Sequence, residues 1–219
     1  MIIKTLTLGF LKTNCYLFST DNSNLFIIDP ADNPDSIIQA VQETGLIPVG
    51  IILTHTHFDH ILAAGKLVET YPDAGVYVYH SEVSNMGKAG REAQFMTINA
   101  LVPQMMPYVQ EALSQLPEVT SILHQSDAIP LSGLAVIHTP GHTPGSICLY
   151  AKDEGILFSG DTLFLESIGQ TDYPGGNHIQ LVESIQRELL TLPDTVQVCP
   201  GHGEKTTIGH ERKHNPYIR

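Results

Sequence analysis

Four times along the chain, an apolar run of strand type leads into a loop that carries His or Asp. The runs begin at Ile51, Leu134, Gly155 and Val196, and three of the four loops also contain Gly. Strands of packed sheets that end at one rim would bring these loops together, and Gly lets a backbone turn tightly beside a ligand. The pattern predicts a polar site that is built from strand ends.

The first of these loops, Thr54–His60, contains three His and one Asp. Neutral imidazole nitrogen and carboxylate oxygen are ligands that Zn²⁺ and related ions prefer. His55 and His57 point the same way in an extended chain, because side chains alternate with period two. Asp59 and His60 are expected to open the following helix and to leave in another direction. The loop is interpreted as a metal site rather than as a chance His cluster.

The other three loops supply the remaining donors. The predicted ligand sets are His55, His57 and His142 for one ion, Asp59, His60 and His202 for a second, and Asp161 as the bridge between them. Such a set is large enough for two ions about 3.5–4 Å apart, which is the spacing of two-metal hydrolytic sites. Zinc is the preferred metal, with iron and manganese as alternatives.

These motifs resemble the metallo-β-lactamase superfamily. The resemblance begins at Asn14–Leu17 and Ile27–Pro30, passes through the four ligand loops, and ends at Gly201–Gly209 and Asn215–Tyr217. It implies an α/β (α+β) fold, a four-layer αββα sandwich of two similar halves with a dinuclear site along one edge. Leu163–Gly176 is most similar to the small bacterial glyoxalase-II-like (hydroxyacylglutathione hydrolase-like) metallohydrolases.

A single domain over residues 1–219 is predicted, because no linker or low-complexity stretch divides the chain. Two β-rich halves, near 1–80 and 122–219, flank a helical insert near 84–121 that holds four of the five methionines. Thioethers adapt to irregular apolar surfaces, so the insert is interpreted as plain packing, a substrate lid or a homodimer contact. Helical spacing also predicts helices near 34–44, 58–71 and 178–191.

Composition restricts the class of partner and the compartment. The net charge is −12, with 11 basic against 23 acidic residues, which argues against nucleic acid as a substrate. No run approaches the ~20 apolar residues of a membrane span, and the N-terminus does not have the pattern of a secretory signal. Three cysteines without a CxxC pair favour buried, reduced thiols. A cytoplasmic protein that acts on a small molecule is expected.

The predicted site favours hydrolysis at a carbonyl carbon, with Asp59 as the catalytic residue that orients a metal-activated water. A thiolate leaves without a proton, since thiols have a pKa of ~8.5, whereas an amine needs a positioned acid that the motifs lack. The expected substrate is therefore a thioester such as S-lactoylglutathione, or a related small acyl thiol or ester. The alternatives are a mononuclear iron persulfide dioxygenase, a lactonase, and a metal-binding protein without turnover.

Four residues are predicted to contact the substrate: Gln170, Tyr173, Lys205 and Arg212. Gln170 stands where the family usually has Arg, and therefore lacks a bidentate fork for a carboxylate. Full-length glyoxalase II enzymes continue into a helical domain that holds glutathione, and here seventeen residues follow His202. The expectation is cleavage of S-lactoylglutathione with a high KM, unless Lys205, Arg212 or the insert substitutes for the missing contacts.

Two other polar residues are interpreted as supports for the ligands. Asp29 ends the strand Phe26–Ile28 and is expected to accept hydrogen bonds from the metal-binding turn, with a plain turn residue as the alternative. His138 is expected to fix the loop that carries His142 rather than to bind metal.

Overall fold

The computed structural model describes residues 1–21 and 23–218, which form two compact units, Met1–Ile122 and Leu123 onwards. Each unit is built around a six-stranded sheet with helices, so the predicted mixed α/β fold class is confirmed. The boundary lies after the predicted helical insert, which therefore belongs to the first unit. Among the described residues, no helix combines the length and the apolar character needed to cross a membrane.

The sheet of the first unit follows chain order. Its strands are β1 Ile2–Leu8, β2 Thr13–Ser19, β3 Asn24–Ile28, β4 Ile47–Ile52, β5 Gly75–Tyr79 and β6 Ser121–Leu123. Its helices are α1 Pro34–Thr44, α2 Ala64–Thr70, α3 Gly87–Leu101 and α4 Met106–Ser114. The pairs β1–β2 and β2–β3 are antiparallel, whereas β3–β4 and β4–β5 are parallel.

The local sequence explains α1, whose bounds agree with the predicted range. Asn33 caps the helix by accepting a hydrogen bond from the Ser36 amide, and Pro34 occupies the first turn, where no amide donor is needed. Gly45 ends the helix in the left-handed conformation at φ 69°. The helix then returns the chain to β4, parallel to β3, with Ile28 opposite Ile52. The residues that follow both strands therefore lie at the same end of the sheet.

The helix predicted near 58–71 is interrupted, which corrects the expectation that Asp59 and His60 open it. Phe58–His60 form a single 3-10 turn, and α2 begins only at Ala64. The Ala63 amide donates to the Pro30 carbonyl at 3.0 Å. The chain is thus tied to the end of β3 before regular helical hydrogen bonds begin.

The insert consists of α3 and α4 joined by a 3-10 turn, Pro103–Met105. Met86 is buried in the core of the first unit, and Met105 and Met106 pack against that core. Met96 is different, with 64% of its surface exposed. Packing therefore accounts for three of the four methionines, and the lid and homodimer interpretations stay predictions.

The second unit has a comparable sheet, in the order β14-β13-β10-β9-β8-β7, and a separate hairpin formed by β11 and β12. Its strands are β7 Ala128–Ile129, β8 Leu134–His138, β9 Ile147–Ala151, β10 Ile156–Gly160, β11 Leu163–Phe164, β12 Ser167–Ile168, β13 Gln197–Pro200 and β14 Thr206–Thr207. Its helices are α5 His178–Ser184, which continues as a π-helical turn over Ile185–Leu189, and α6 Ile208–His214. The helix predicted near 178–191 is thereby confirmed.

The two units share a strand arrangement. In each, antiparallel strands are followed by a parallel neighbour reached through a helix, as β3–α1–β4 in the first unit and β10–α5–β13 in the second. Parallel strands end at the same edge of a sheet. Asp29 and His55 therefore follow one parallel pair, and Asp161 and His202 follow the other.

Candidate metal centre

The turn after β4 brings its four predicted ligands together. The ring centroid of His55 lies 4.9 Å from that of His57 and 4.2 Å from that of His60. His60 Nε2 is 3.5 Å from Asp59 Oδ2. His55 and His60 are buried, so this turn concentrates imidazole nitrogen and carboxylate oxygen in a place sheltered from water.

Asp29 orients two of these imidazoles. Its carboxylate accepts hydrogen bonds from the Thr54 amide and hydroxyl, both at 2.7 Å, and from His60 Nδ1 at 3.0 Å. Because the Thr54 hydroxyl donates to Asp29, its oxygen accepts from His55 Nδ1, 3.1 Å away. This network assigns the Nδ1–H tautomer to both histidines and directs each Nε2 toward the ligand position. The predicted supporting role of Asp29 is confirmed.

Residues far away in sequence hold the same turn, and no motif in the sequence indicates them. The Thr13 hydroxyl, at the start of β2, donates to Asp59 Oδ2 at 2.7 Å. Gln94 of α3 donates from Nε2 to the Thr56 carbonyl at 2.7 Å. The Thr56 hydroxyl donates to the buried carboxylate of Glu82. Only the tertiary fold reveals these partners, because the local sequence around each is unremarkable.

The second unit assembles His142, Asp161 and His202. Asp161 Oδ2 lies 3.7 Å from His142 Nε2 and 3.5 Å from His202 Nε2. A carboxylate oxygen between two imidazole nitrogens suits a shared or bridging ligand, the role predicted for Asp161.

The segment after β12 fixes the orientation of His142. The His142 Nδ1 donates to the backbone carbonyl of Gln170 at 2.6 Å, which directs Nε2 toward Asp161. The preceding residue must be small, because a Cβ on Gly169 would lie 1.8 Å from the Asp161 carbonyl oxygen. Gly169 thus permits the close approach that aligns the imidazole.

The loop that carries His142 is held from two sides. His138 donates from Nε2 to the Pro144 carbonyl at 3.0 Å, which confirms its predicted loop-fixing role. Gly141 has φ 140°, and its missing Cβ would meet the backbone nitrogen of Leu181 at 2.3 Å. The loop therefore lies directly on α5.

A buried carboxylate anchors the β11–β12 hairpin that precedes Gly169. Glu211 of α6 accepts hydrogen bonds from the Thr206 hydroxyl at 2.6 Å, the Glu166 amide at 2.9 Å and Asn215 Nδ2 at 2.8 Å. Asn215 Nδ2 also donates to the Ser167 carbonyl at 3.0 Å. The C-terminal helix thus supports, through the hairpin, the segment that orients His142.

The four residues predicted to contact the substrate differ in their hydrogen-bond partners. The side chain of Gln170 is exposed while its carbonyl serves His142. Tyr173 and Lys205 are exposed at the surface of the second unit. Arg212 donates to two carbonyls that follow α5 and pairs with Asp194. Their contacts with a substrate stay predictions.

The three cysteines are free and buried, as predicted. Burial raises the pKa of Cys148 and of Cys199 to about 11. Burial also raises the pKa of Cys15, with a further contribution from the negative charge of Asp29. All three remain thiols at neutral pH and do not offer thiolate ligands.

The donor set fits divalent metal ions. All seven predicted ligands belong to groups of three His or Asp side chains that could hold a metal ion. Imidazole and carboxylate donors without thiolate suit zinc, iron and manganese.

Comparison with known proteins agrees with this geometry. Residues 8–202 match the family model of the metallo-beta-lactamase superfamily, and the chain belongs to that superfamily. Its members are mostly metal-dependent hydrolases.

Relatives with a known name or structure cover nearly the whole chain. The chain is 31% identical to hydroxyacylglutathione hydrolase GloC of Haemophilus influenzae, over 100% of this chain and 98% of GloC. A di-iron-bound form of TTHA1623 is 36% identical, with a TM-score of 0.84 over 98% of this chain and 99% of that one. BLEG-1 B3 metallo-beta-lactamase is 34% identical, with a TM-score of 0.84 over 99% of each chain.

Proposed function

We propose that the protein is a dinuclear metal-dependent hydrolase that cleaves thioesters. Two observations support this proposal. Metal-binding His and Asp side chains follow the parallel strand pairs of both units. Hydrogen bonds fix the tautomers of three imidazoles, those of His55, His60 and His142. In this proposal one ion would be held by His55, His57 and His142 and the other by Asp59, His60 and His202, and Asp161 would be a ligand shared by both. The di-iron-bound form of TTHA1623 supports a site for two ions and makes iron an alternative to zinc.

The chain's own residues position the reaction. Divalent ions bound to such donors activate water and polarise a carbonyl oxygen. Asp59, fixed by the Thr13 hydroxyl at 2.7 Å, would orient the attacking water. Asp29 and the Gln170 carbonyl would keep the imidazoles aligned without motion during turnover.

The leaving group favours a thioester. A thiolate departs unprotonated at neutral pH. An amine requires a general acid, and the His and Asp side chains assigned to the metals do not supply one. The name of GloC, a hydroxyacylglutathione hydrolase, supports a glutathione thioester such as S-lactoylglutathione. Since the alignment covers 98% of GloC, the length of this chain does not argue against that substrate.

Metal analysis tests the dinuclear site. Protein purified without chelator should contain close to two equivalents of zinc, iron or manganese. His57→Ala and Asp161→Ala should lose most of this metal, while His124→Ala, which removes an exposed imidazole of the second unit, should keep it. A single iron per chain together with sulfite formation from a persulfide would instead establish the dioxygenase alternative.

A substrate panel tests the reaction. Fully metallated protein should hydrolyse S-acyl thiols with higher kcat/KM than lactones or β-lactams. The β-lactams belong in the panel because BLEG-1 is a β-lactamase of 34% identity. No turnover of any thioester, with good turnover of a lactone or a β-lactam, would show that the substrate class is wrong.

The glutathione moiety has its own test. Gln170 cannot offer the bidentate guanidinium fork of an arginine, so S-lactoylglutathione should have a high KM that Gln170→Arg lowers. The S-lactoyl thioester of N-acetylcysteamine, which lacks carboxylates, should show the same KM with both proteins. A low-micromolar KM for the glutathione ester in the wild type, unchanged by Gln170→Arg, would place glutathione recognition elsewhere.

A further inference from the structure

A cavity of about 110 Å³ lies beside Asp59 in the first unit. Thr13 and Asp59, joined by a hydrogen bond, form part of its wall. The rest of the wall is mainly apolar and comes from the β1–β2 hairpin, the metal-binding turn and the insert, with Leu8, Phe10, Leu11, Phe58, Met105 and Tyr108 among its residues. The cavity therefore adjoins the residue that would orient the attacking water.

Two of these wall residues are unusually exposed. Phe10 and Tyr108 each have 80% of their surface open to solvent, although they belong to different elements, the hairpin and α4. Clustered aromatic surface that is open to water commonly marks a binding site. Here the two exposed aromatic residues line the same cavity as Asp59.

The charge and size of the cavity restrict its ligand. Its described lining contains no Lys or Arg that could pair with an anionic group such as the carboxylates of glutathione. It contains Asp32 in addition to Asp59, and the charge of Asp59 would be offset by the ion that it is proposed to bind. Its volume of about 110 Å³ is smaller than that of the ~150 Å³ cavity known to accept benzene. An uncharged chain of about four carbons matches both restrictions.

We propose that this cavity binds the acyl chain of the substrate, so that the enzyme prefers short apolar acyl groups over a lactoyl group. The inference rests on the proposed thioester hydrolysis. A chain seated here leaves its carbonyl carbon on the Asp59 side of the cavity. The lactoyl hydroxyl would lose hydrogen bonds to water on entering an apolar wall, which lowers its binding.

Methionine NMR tests the binding without any turnover. The chain has five methionines, of which Met105 lines the cavity and Met96 is exposed on α3 as an internal control. The ¹³C-methyl signal of Met105, assigned with Met105→Leu, should shift and saturate when zinc-loaded protein is titrated with the thioether S-butyl-N-acetylcysteamine. The Met96 signal should not move, and S-(2-carboxyethyl)-N-acetylcysteamine should bind more weakly. An unmoved Met105 signal would overturn the proposal.

A chain-length series tests the specificity. For acetyl, propanoyl and butanoyl thioesters of N-acetylcysteamine, kcat/KM should rise about three- to fourfold per added methylene, and the lactoyl ester should fall below the propanoyl ester. Phe10→Asp and Tyr108→Asp should flatten this series, while Met96→Asp, an equally charged change on the insert, should preserve it. A flat series in an active wild type would overturn the acyl-chain site and leave the hydrolase function intact. If no thioester is turned over, the proposed function fails, and the Met105 signal alone decides whether the cavity binds an apolar chain.

Discussion

Asp29 accepts three hydrogen bonds from the turn that carries the first ligands, and it does so from a strained backbone. Its φ of 50° lies in the left-handed region, which residues other than Gly seldom adopt. The network around it sets the tautomers of two ligand histidines. The sequence suggested this role from the position of Asp29 at the end of the strand Phe26–Ile28, with a plain turn residue as the alternative.

Replacing Asp29 should weaken metal binding more than it weakens the fold. Asp29→Asn can still accept from the Thr54 amide but presents an N–H toward His60 Nδ1 if the amide oxygen faces Thr54. Loss of a hydrogen bond that orients a ligand typically lowers metal affinity about 10–100-fold. Competition with a chromogenic chelator measures the change, and Asp73→Asn, at an exposed carboxylate of the same unit, controls for the lost charge. Unchanged metal affinity in Asp29→Asn would contradict the orienting role.

Gly169 offers a second test at a single residue. Gly169→Ala places a methyl group 1.8 Å from the Asp161 carbonyl oxygen and 3.3 Å from His142 Nδ1, so the segment must move away from both. The Gln170 carbonyl then leaves His142, and metal affinity should fall at least tenfold by the same argument. Gly45→Ala strains a left-handed helix cap where no atom lies within 4 Å. It should cost about 1 kcal/mol of stability and leave metal affinity unchanged. Equal metal affinity in both variants would refute the positional role of Gly169.

Secondary-structure elements were predictable where the signal was local. Asn33, Pro34 and Gly45 mark both ends of α1, and the helix has the predicted bounds. The turn after β4 was harder, because its 3-10 geometry depends on the hydrogen bond from Ala63 to Pro30, on a different strand end. The contacts of Thr13 with Asp59 and of Gln94 with Thr56 span 46 and 38 residues. Neither leaves a periodic or motif-like trace in the sequence.

The contact of α3 with the metal-binding turn gives a prediction for the insert. Gln94→Ala leaves the buried Thr56 carbonyl without its Gln94 donor, which should lower the free energy of unfolding by about 1–3 kcal/mol. Because Thr56 lies between His55 and His57, metal affinity should fall as well. Asn99→Ala removes an exposed amide from the same helix and should change neither property. Urea denaturation measures the free energy of unfolding of both variants, and chelator competition measures their metal affinity. A Gln94→Ala protein that behaves like Asn99→Ala would show that α3 does not support the turn.

For the molecule as a whole, the repeated pattern of apolar run and polar loop, together with the family resemblance, predicted two β-rich halves. Each unit indeed carries antiparallel strands followed by a parallel pair whose ends bear His and Asp. The pattern did not reveal that the insert belongs to the first unit, since that depends on packing of Met86, Met105 and Met106 against a specific core. The sequence also predicts one domain over residues 1–219, a prediction that the cysteines can test.

The buried thiols make the free energy of unfolding depend on pH, so their use as reporters of unfolding requires a pH below the range in which they titrate. Burial raises the pKa of Cys148 and of Cys199 to about 11, above the ~8.5 of an exposed thiol. Between about pH 8.5 and 11 the folded protein therefore binds more protons than the unfolded protein. The contribution of the two thiols to stability is complete below about pH 8.5 and is lost as the pH rises toward 11. The free energy of unfolding should hold between pH 7 and 8 and decline between pH 9 and 11.

Metal removal should expose the thiols of both units together. Cys15 lies in the first unit, and Cys148 and Cys199 lie in the second. If ligands from both units bind the ions, metal at 100 times its Kd adds about 2.7 kcal/mol to the stability of one cooperative domain. At pH 8 in dilute urea, a chelator should accelerate alkylation of all three cysteines by a similar factor, read by peptide mass spectrometry, and should have no effect on Asp161→Ala. Acceleration confined to Cys15, or to Cys148 and Cys199, would show that the units unfold separately and that the single-domain prediction is wrong.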